Sequence, residues 1–255
     1  TLQRSVQRFG EGDLSVRVSE QGQDEVADLA RQFNAAAARI EALVKTHKSL
    51  LANASHELRS PLTRIRMGLE LMGGNQPSPA FREEILRNIA ELDQLVDEIL
   101  LASRLDAREA DVGTVELVDL IGLAAEECAR VDAELDVTAV PEGLEVRGVA
   151  KLLRRALRNL LENARRYSQG DITVVLQRHD GQAQLSVLDR GPGVPPALRE
   201  RIFEPFYRLP GASERAGGVG LGLALVRSIA QRHNGSVRCE DQPDGSGGAC
   251  FVLRL

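Results

Sequence analysis

Residues 150–167 run Ala-Lys-Leu-Leu-Arg-Arg-Ala-Leu-Arg-Asn-Leu-Leu-Glu-Asn-Ala-Arg-Arg-Tyr, and their reading decides the fold. The stretch reads as one helix, with Asn159 and Asn163 four residues apart and therefore on one face. Asparagine is unusual inside a helix because its side chain competes with the backbone for hydrogen bonds. Two on one face read in either of two ways. They supply oxygen ligands to a hard cation such as Mg²⁺, which takes few protein ligands beside phosphates, or they cap and hydrogen-bond locally.

Outward from this helix, strand and helix patterns alternate over residues 114–255. Upstream lie a short strand at 115–117, a helix near 118–131, and short strands near 136–140 and 145–148. Downstream, apolar alternation marks strands at 171–178 and 183–189, parted by His179-Asp180-Gly181-Gln182. A helix over 221–233 and strands at 236–240 and 249–254 complete the set. Helices and a mostly antiparallel sheet that segregate into two layers make an α+β two-layer sandwich.

Two glycine clusters sit at element ends. Asp189-Arg190-Gly191-Pro192-Gly193 closes a strand: either a plain turn, or a carboxylate placed to accept from a ligand amino group where the backbone comes close. Gly217-Gly218-Val219-Gly220-Leu221-Gly222-Leu223 opens a helix, where exposed backbone N–H groups suit phosphates. No Gly-Lys-Ser/Thr follows, so it is not the Walker pattern, and no strand leads into it as in a Rossmann fingerprint.

Upstream the chain is helical. Val26, Leu29, Phe33, Ala36, Ile40, Leu43, His47 and Leu50 form a heptad seam. Gly10, Gly12 and Asp13 break the helix before it, and Asp24 suits its N-cap. Apolar spacing resumes at Leu58, Leu62, Ile65, Leu69 and Met72, turns at 73–79, and continues through Phe81, Ile85, Ile89, Leu92, Val96 and Leu100. Two such antiparallel helices need partners, most simply a second copy in a four-helix bundle. His56 lies off this seam. Pro61 deprives the Glu57 carbonyl of its helical partner, so a bend is expected one turn beyond the histidine. Glu57 is placed to hold one imidazole nitrogen protonated and leave the other as a nucleophile; the alternative is a surface histidine beside a kink.

Composition bounds the classes. The 255 residues allow one or two domains, and 43% hydrophobic with 27% charged residues excludes a wholly disordered chain. With 3% aromatics and no Trp, the core must be mostly Leu, Val, Ile and Ala. The net charge of −5 gives no electrostatic support for nucleic-acid binding. The longest uncharged runs are eleven residues, 71–81 and 216–226, against the ~20 apolar residues of a membrane helix. The first residues hold no apolar signal-peptide core. Cys128, Cys239 and Cys250 have no metal-ligand spacing and read as buried free thiols in a reducing compartment.

Taken together and in order, these segments resemble a bacterial two-component sensor histidine kinase. Residues 56–65 look like the family's H box, 159–167 its N box, 189–193 G1, 203–208 the F box, 218–223 G2 and 247–251 the looser last glycine box. Residues 1–46 resemble the end of a HAMP linker, with Gly12-Asp13-Leu14 and Asp24-Glu25-Val26 in place. The resemblance implies three domains: a partial HAMP linker (1–46), a dimerisation and phosphotransfer domain (47–110) and a Bergerat-type ATP-binding domain (114–255). It implies ATP-dependent autophosphorylation of His56 with Glu57 as base or orienter, then transfer to an aspartate on a response regulator receiver domain. Asp189 would bind the adenine amino group, with Gly191 and Gly193 letting the ring close in. Asn163, supported by Asn159, would hold Mg²⁺, and Arg166, Tyr167 and Arg208 would contact phosphates. Gly218, Gly220, Leu221 and Gly222 would form the hinge and phosphate end of a mobile lid over 204–218, with Phe203 and Phe206 packing its base. A homodimer follows, with membrane and sensor segments upstream and this chain as the cytoplasmic portion of an inner-membrane protein.

Departures from the pattern are specific. Ser60 replaces the usual Thr or Asn of a water-positioning site for phosphatase action, and Arg166 replaces a commoner Lys. The HAMP stretch lacks most of its first helix and the usual proline. The rivals are another ATP-binding member of the superfamily, such as a serine kinase or ATP-driven clamp, and a helical scaffold with a vestigial ATP fold. The H box opposes the first; both asparagines, Asp189 and the lid glycines oppose the second.

Overall fold

A computed structural model describes residues 2–20, 25–71, 78–106, 113–168, 170–210, 218–245 and 247–255. Expectations for the 73–79 turn, the Asp24 cap and the lid residues Gly211, Ala212 and Ser213 fall outside these, apart from Ser78 and Pro79 at the end of the turn. Contacts divide the chain into two compact units, Thr1–His56 and Glu57–Leu255.

In the first unit, α1 (Leu2–Gly10) ends at the glycine break, and a connector leads to α2 (Glu25–Leu71). Asn34 pins the connector as a strand partner would: its Oδ1 accepts the Val18 N–H and its Nδ2 donates to the Val18 carbonyl, both at 2.8 Å. Phe9 meets Phe33 edge-on at 5.6 Å, and Arg17 pairs with Glu41 at 2.6 Å. Ala27, Ala30 and Ala37 are buried, whereas the heptad residues Val26, Leu29, Ile40 and Leu43 remain exposed. The heptad seam is thus covered in part, at Phe33 by Phe9 and at the buried Leu50, and left open at Val26, Leu29, Ile40 and Leu43.

In the second unit, α2 continues unbroken through Pro61, and α3 (Pro79–Asp106) follows. Ser78 begins α3, its hydroxyl accepting the Phe81 N–H at 3.3 Å. The C-terminal part is an α+β two-layer sandwich. Strands β1 (Glu116–Asp119) and β3 (Glu145–Gly148) form an antiparallel pair. Strands β2 (Glu134–Asp136), β4 (Thr173–His179), β5 (Gln182–Leu188), β6 (Ser236–Glu240) and β7 (Cys250–Arg254) form a sheet ordered β2-β4-β5-β7-β6. Only β2–β4 is parallel. Helices α4 (Leu120–Val131), α5 (Ala150–Tyr167) and α6 (Gly222–Arg232) make the other layer. Leu157, Leu160, Val226 and Ile229 from the helices and Val174, Leu176, Leu185 and Phe251 from the sheet are buried at 2% exposure or less, an aliphatic core as the composition requires.

Two boundaries differ from expectation for local reasons. The strand expected over 136–140 is a strand that ends at Asp136. Asp136 Oδ1 accepts both the N–H and the hydroxyl of Thr138, at 2.9 and 2.7 Å, and this Asx turn bends the chain away. Helix α4 begins two residues later than expected, because Asp119 caps it by accepting the Ile121 N–H at 2.9 Å.

Candidate active site

Asp189 follows the last residue of β5 and is 3% exposed. Its Oδ1 accepts the Gly191 N–H at 2.8 Å and the Ala249 N–H at 3.3 Å. Among the described residues no donor reaches Oδ2, which leaves one acceptor oxygen for a ligand. Burial raises the carboxyl above the ordinary aspartate value, and the two backbone N–H groups partly counter it.

Helix α5 meets both glycine turns. A side chain at Gly191 would press within 2.7 Å of the Tyr167 carbonyl, and one at Gly218 would run into the Arg166 guanidinium. Gly218 (φ 90°) and Gly220 (φ 81°) both sit in the left-handed region, so the turn needs glycine on backbone grounds as well. Asn159, buried, donates from Nδ2 to the Gly222 carbonyl at 3.1 Å. Asn163, one turn on, is half-buried, and its amide has no protein partner among the described residues. The donor set fits a phosphate-bound cation: an amide without a protein partner among the described residues, one helical turn from the Asn159 that meets Gly222 and three residues from the Arg166 that meets Gly218.

Phe206 holds φ 63° and donates its N–H to the Gly220 carbonyl at 2.9 Å, fastening residue 206 to the second glycine turn. Phe203 is 2% exposed, lies edge-on to Phe251 at 6.4 Å and carries Arg227 on its face. It is a core residue of the sandwich. Tyr167 and Arg208 are half-buried and Leu221 is fully buried. Leu221 therefore serves the core side of this turn.

On the helical elements, His56 is exposed on α2. Ser60 Oγ accepts from Arg64 Nη1 at 3.1 Å, and Arg64 reaches Asn88 at 2.7 Å and Glu91 at 2.9 Å on α3. Glu98 of α3, 7% exposed, accepts from Arg155 of α5 at 3.0 Å and Gln94 at 3.1 Å, and burial raises its carboxyl. Glu127 of α4, 2% exposed on its side chain, takes both Arg158 donors at 2.9 and 2.8 Å, and that pairing lowers it. Neither glutamate is conspicuous by sequence, because each depends on an arginine at least 31 residues away. The three cysteines are free and buried, their thiols pushed up to about 11 or 12 by desolvation.

Three family models match in order: the HAMP domain over residues 1–42, the His Kinase A phospho-acceptor domain over 46–108, and the histidine kinase-, DNA gyrase B- and HSP90-like ATPase over 148–255. Sensor protein RstB of Escherichia coli K12 is 36% identical across 98% of this chain and 58% of its own length. Sensor histidine kinase CpxA of the same strain is 34% identical across 96% of this chain and 55% of itself. The chain thus spans a little over half the length of these relatives. Among solved structures, Acinetobacter baumannii histidine kinase AdeS matches with TM-score 0.64 at 23% identity, covering 78% of this chain and 96% of AdeS. Histidine kinase ShkA, solved with AMPPNP, matches with TM-score 0.54 at 25% identity over 82% of this chain and 45% of ShkA. Histidine kinase ThkA, solved with response regulator TrrA, matches with TM-score 0.65 at 22% identity over 91% of this chain and 67% of ThkA. With phospho-acceptor and ATPase segments in this order behind a HAMP segment, the chain belongs to the two-component sensor histidine kinases.

Proposed function

We propose that this chain binds ATP in the C-terminal sandwich, phosphorylates His56, and passes the phosphoryl group to an aspartate of a response regulator. The observation that carries the reading is the convergence of α5 on both glycine turns: Tyr167 against Gly191, Arg166 against Gly218, Asn159 on Gly222. Asp189 Oδ2 takes the adenine amino group at one end of this arrangement, and Arg166, Tyr167 and Arg208 take phosphate oxygens at the other. Asn163, with Asn159 behind it, holds the metal. Bound Mg²⁺ supplies charge neutralisation on the phosphates. Gly218, Gly220 and Gly222 let the lid turn follow the nucleotide.

Phosphoryl transfer needs in-line placement and charge stabilisation more than covalent help. An imidazole nitrogen of His56 forms the N–P bond as the bond from the γ-phosphorus to the bridging oxygen breaks, releasing ADP. Glu57 takes the imidazole proton. The phosphoramidate then donates its phosphoryl group to a receiver-domain carboxylate, regenerating the imidazole, and Ser60 positions the water that later hydrolyses the aspartyl phosphate to the free carboxylate and inorganic phosphate. The exposed apolar residues Leu62, Met67 and Leu69 of α2 and Leu86, Ile89 and Val96 of α3 support a homodimeric bundle. ThkA, solved with a response regulator, supports the partner class. Incubation with γ-labelled ATP and Mg²⁺ tests the reading. An acid-labile, base-stable adduct is expected that disappears in His56→Gln while nucleotide binding persists; label retained in that variant overturns the assignment.

A further inference from the structure

We propose that Ser168 and Gln242 are positioning residues that clamp the Asp189–Arg190 peptide unit and thereby aim the Asp189 carboxylate at the adenine amino group. The inference rests on the reading of Asp189 as the adenine acceptor. The two ends of that peptide unit are held by side chains from different elements. Gln242, in the β6–β7 loop and 6% exposed, donates its Nε2 to the Asp189 carbonyl. Ser168, the residue that caps the end of α5, accepts the Arg190 N–H on its Oγ at 3.0 Å. The same hydroxyl oxygen accepts the Gly170 N–H at 3.1 Å, which folds the chain back against Arg190.

A peptide unit has six nearly coplanar atoms, so fixing its carbonyl and its N–H fixes its plane. The Asp189 Cα belongs to that plane, and the Asp189 N–H is already bound to the Ala249 carbonyl at 3.0 Å. With the backbone held on both sides, Oδ1 is delivered to the Gly191 and Ala249 N–H groups and Oδ2 is left pointing free. The surroundings are cut to fit the clamp. Gly248 holds φ 105°, and a side chain there would collide with the Asp189 carbonyl and stand 2.9 Å from the Gln242 amide. Ser168 also ties the strand end that carries Asp189 to the helix end that carries Asn163, Arg166 and Tyr167. Through one hydroxyl, the adenine end and the phosphate end of the site are held at a fixed separation.

The test measures affinities of the 255-residue chain for ATP and for purine riboside triphosphate, which lacks the 6-amino group. Wild type should prefer ATP. Ser168→Ala and Gln242→Ala should each lower ATP affinity about tenfold, the scale of one hydrogen bond to a charged group, and leave the analogue within about twofold. Ser168→Thr, which keeps the hydroxyl, should restore the preference. A merely structural role would weaken both ligands together, and that result overturns the inference, as does unchanged ATP preference in both alanine variants. Asp189→Asn separates the two levels. If it retains full ATP preference, the adenine reading itself fails; if it loses the preference while the alanine variants keep theirs, only the clamp fails. Unfolded alanine variants, seen by thermal melts, would assign the two side chains to stability and also overturn the clamp.

Discussion

Asn159 Nδ2 lies 3.1 Å from the Gly222 carbonyl oxygen and joins the middle of α5 to the first residue of α6. Asn159 is buried and the bond itself part-buried, so its loss is felt in folding. Asn159→Ala should cost about 1–3 kcal/mol of stability. Asn159→Asp should cost more, because it sets a carboxylate oxygen against a carbonyl oxygen. Thermal melts of the two variants without nucleotide rank the effects; equal stability to wild type would remove the tie between the helices.

One turn along the same face, Asn163 should behave in the opposite way. Its amide has no protein partner among the described residues, so Asn163→Ala should change stability by less than about 0.5 kcal/mol. Autophosphorylation with Mg²⁺ and ATP should fall at least about tenfold, the factor for one lost charge-assisted contact. Kinetics across a magnesium titration check this. A wild-type rate would take Asn163 out of the metal site.

Asp189→Asn should trade function for stability. Burial raises the folded pKa of Asp189, so its contribution to stability is fully present below the ordinary aspartate value and is lost as pH rises through the folded value. The neutral variant escapes that loss and should be more stable than wild type at neutral pH by about 1 kcal/mol, with the gap closing on acidification. ATP binding should fail at every pH. Paired denaturant titrations and nucleotide-binding curves read both effects.

Glu127 carries the reverse sign. The Arg158 guanidinium lowers its folded pKa, so the stability it contributes is present above the ordinary glutamate value and lost as pH falls through the folded value. Glu127→Gln should cost about 2–4 kcal/mol at neutral pH, since it strands arginines beside a buried neutral group. The deficit should shrink in acid. Midpoints of urea unfolding at neutral pH and at pH values below the ordinary glutamate value measure it, and a deficit independent of pH across that range would refute the ion-pair account.

Periodicity and punctuation made most of the C-terminal fold legible. Helix α5 and strands β3 and β6 fall where their patterns place them, because each is bounded by local signals. The strand near Asp136 misleads because one side-chain oxygen, accepting from Thr138, outweighs β propensity. The seam of α2 is legible as a period, but the period does not say that Val26 and Leu29 stay uncovered in one chain while Ala27 and Ala30 are buried. The glycine turns were legible from composition. Ser168 and Gln242 were not, since a serine after a helix and a glutamine in a loop carry no pattern of their own.

The order of helices and strands, the aliphatic core and the residue types of the site are set by the sequence alone, because backbone sterics and hydrophobic spacing act over a few residues. Tertiary structure decided which of those residues meet: that Asn159 ties two helices while Asn163 stays open, and that Asp189 keeps one oxygen free. Those outcomes depend on hydrogen bonds between groups some 60 residues apart, whose partners are fixed only when the sheet and its helical layer pack together.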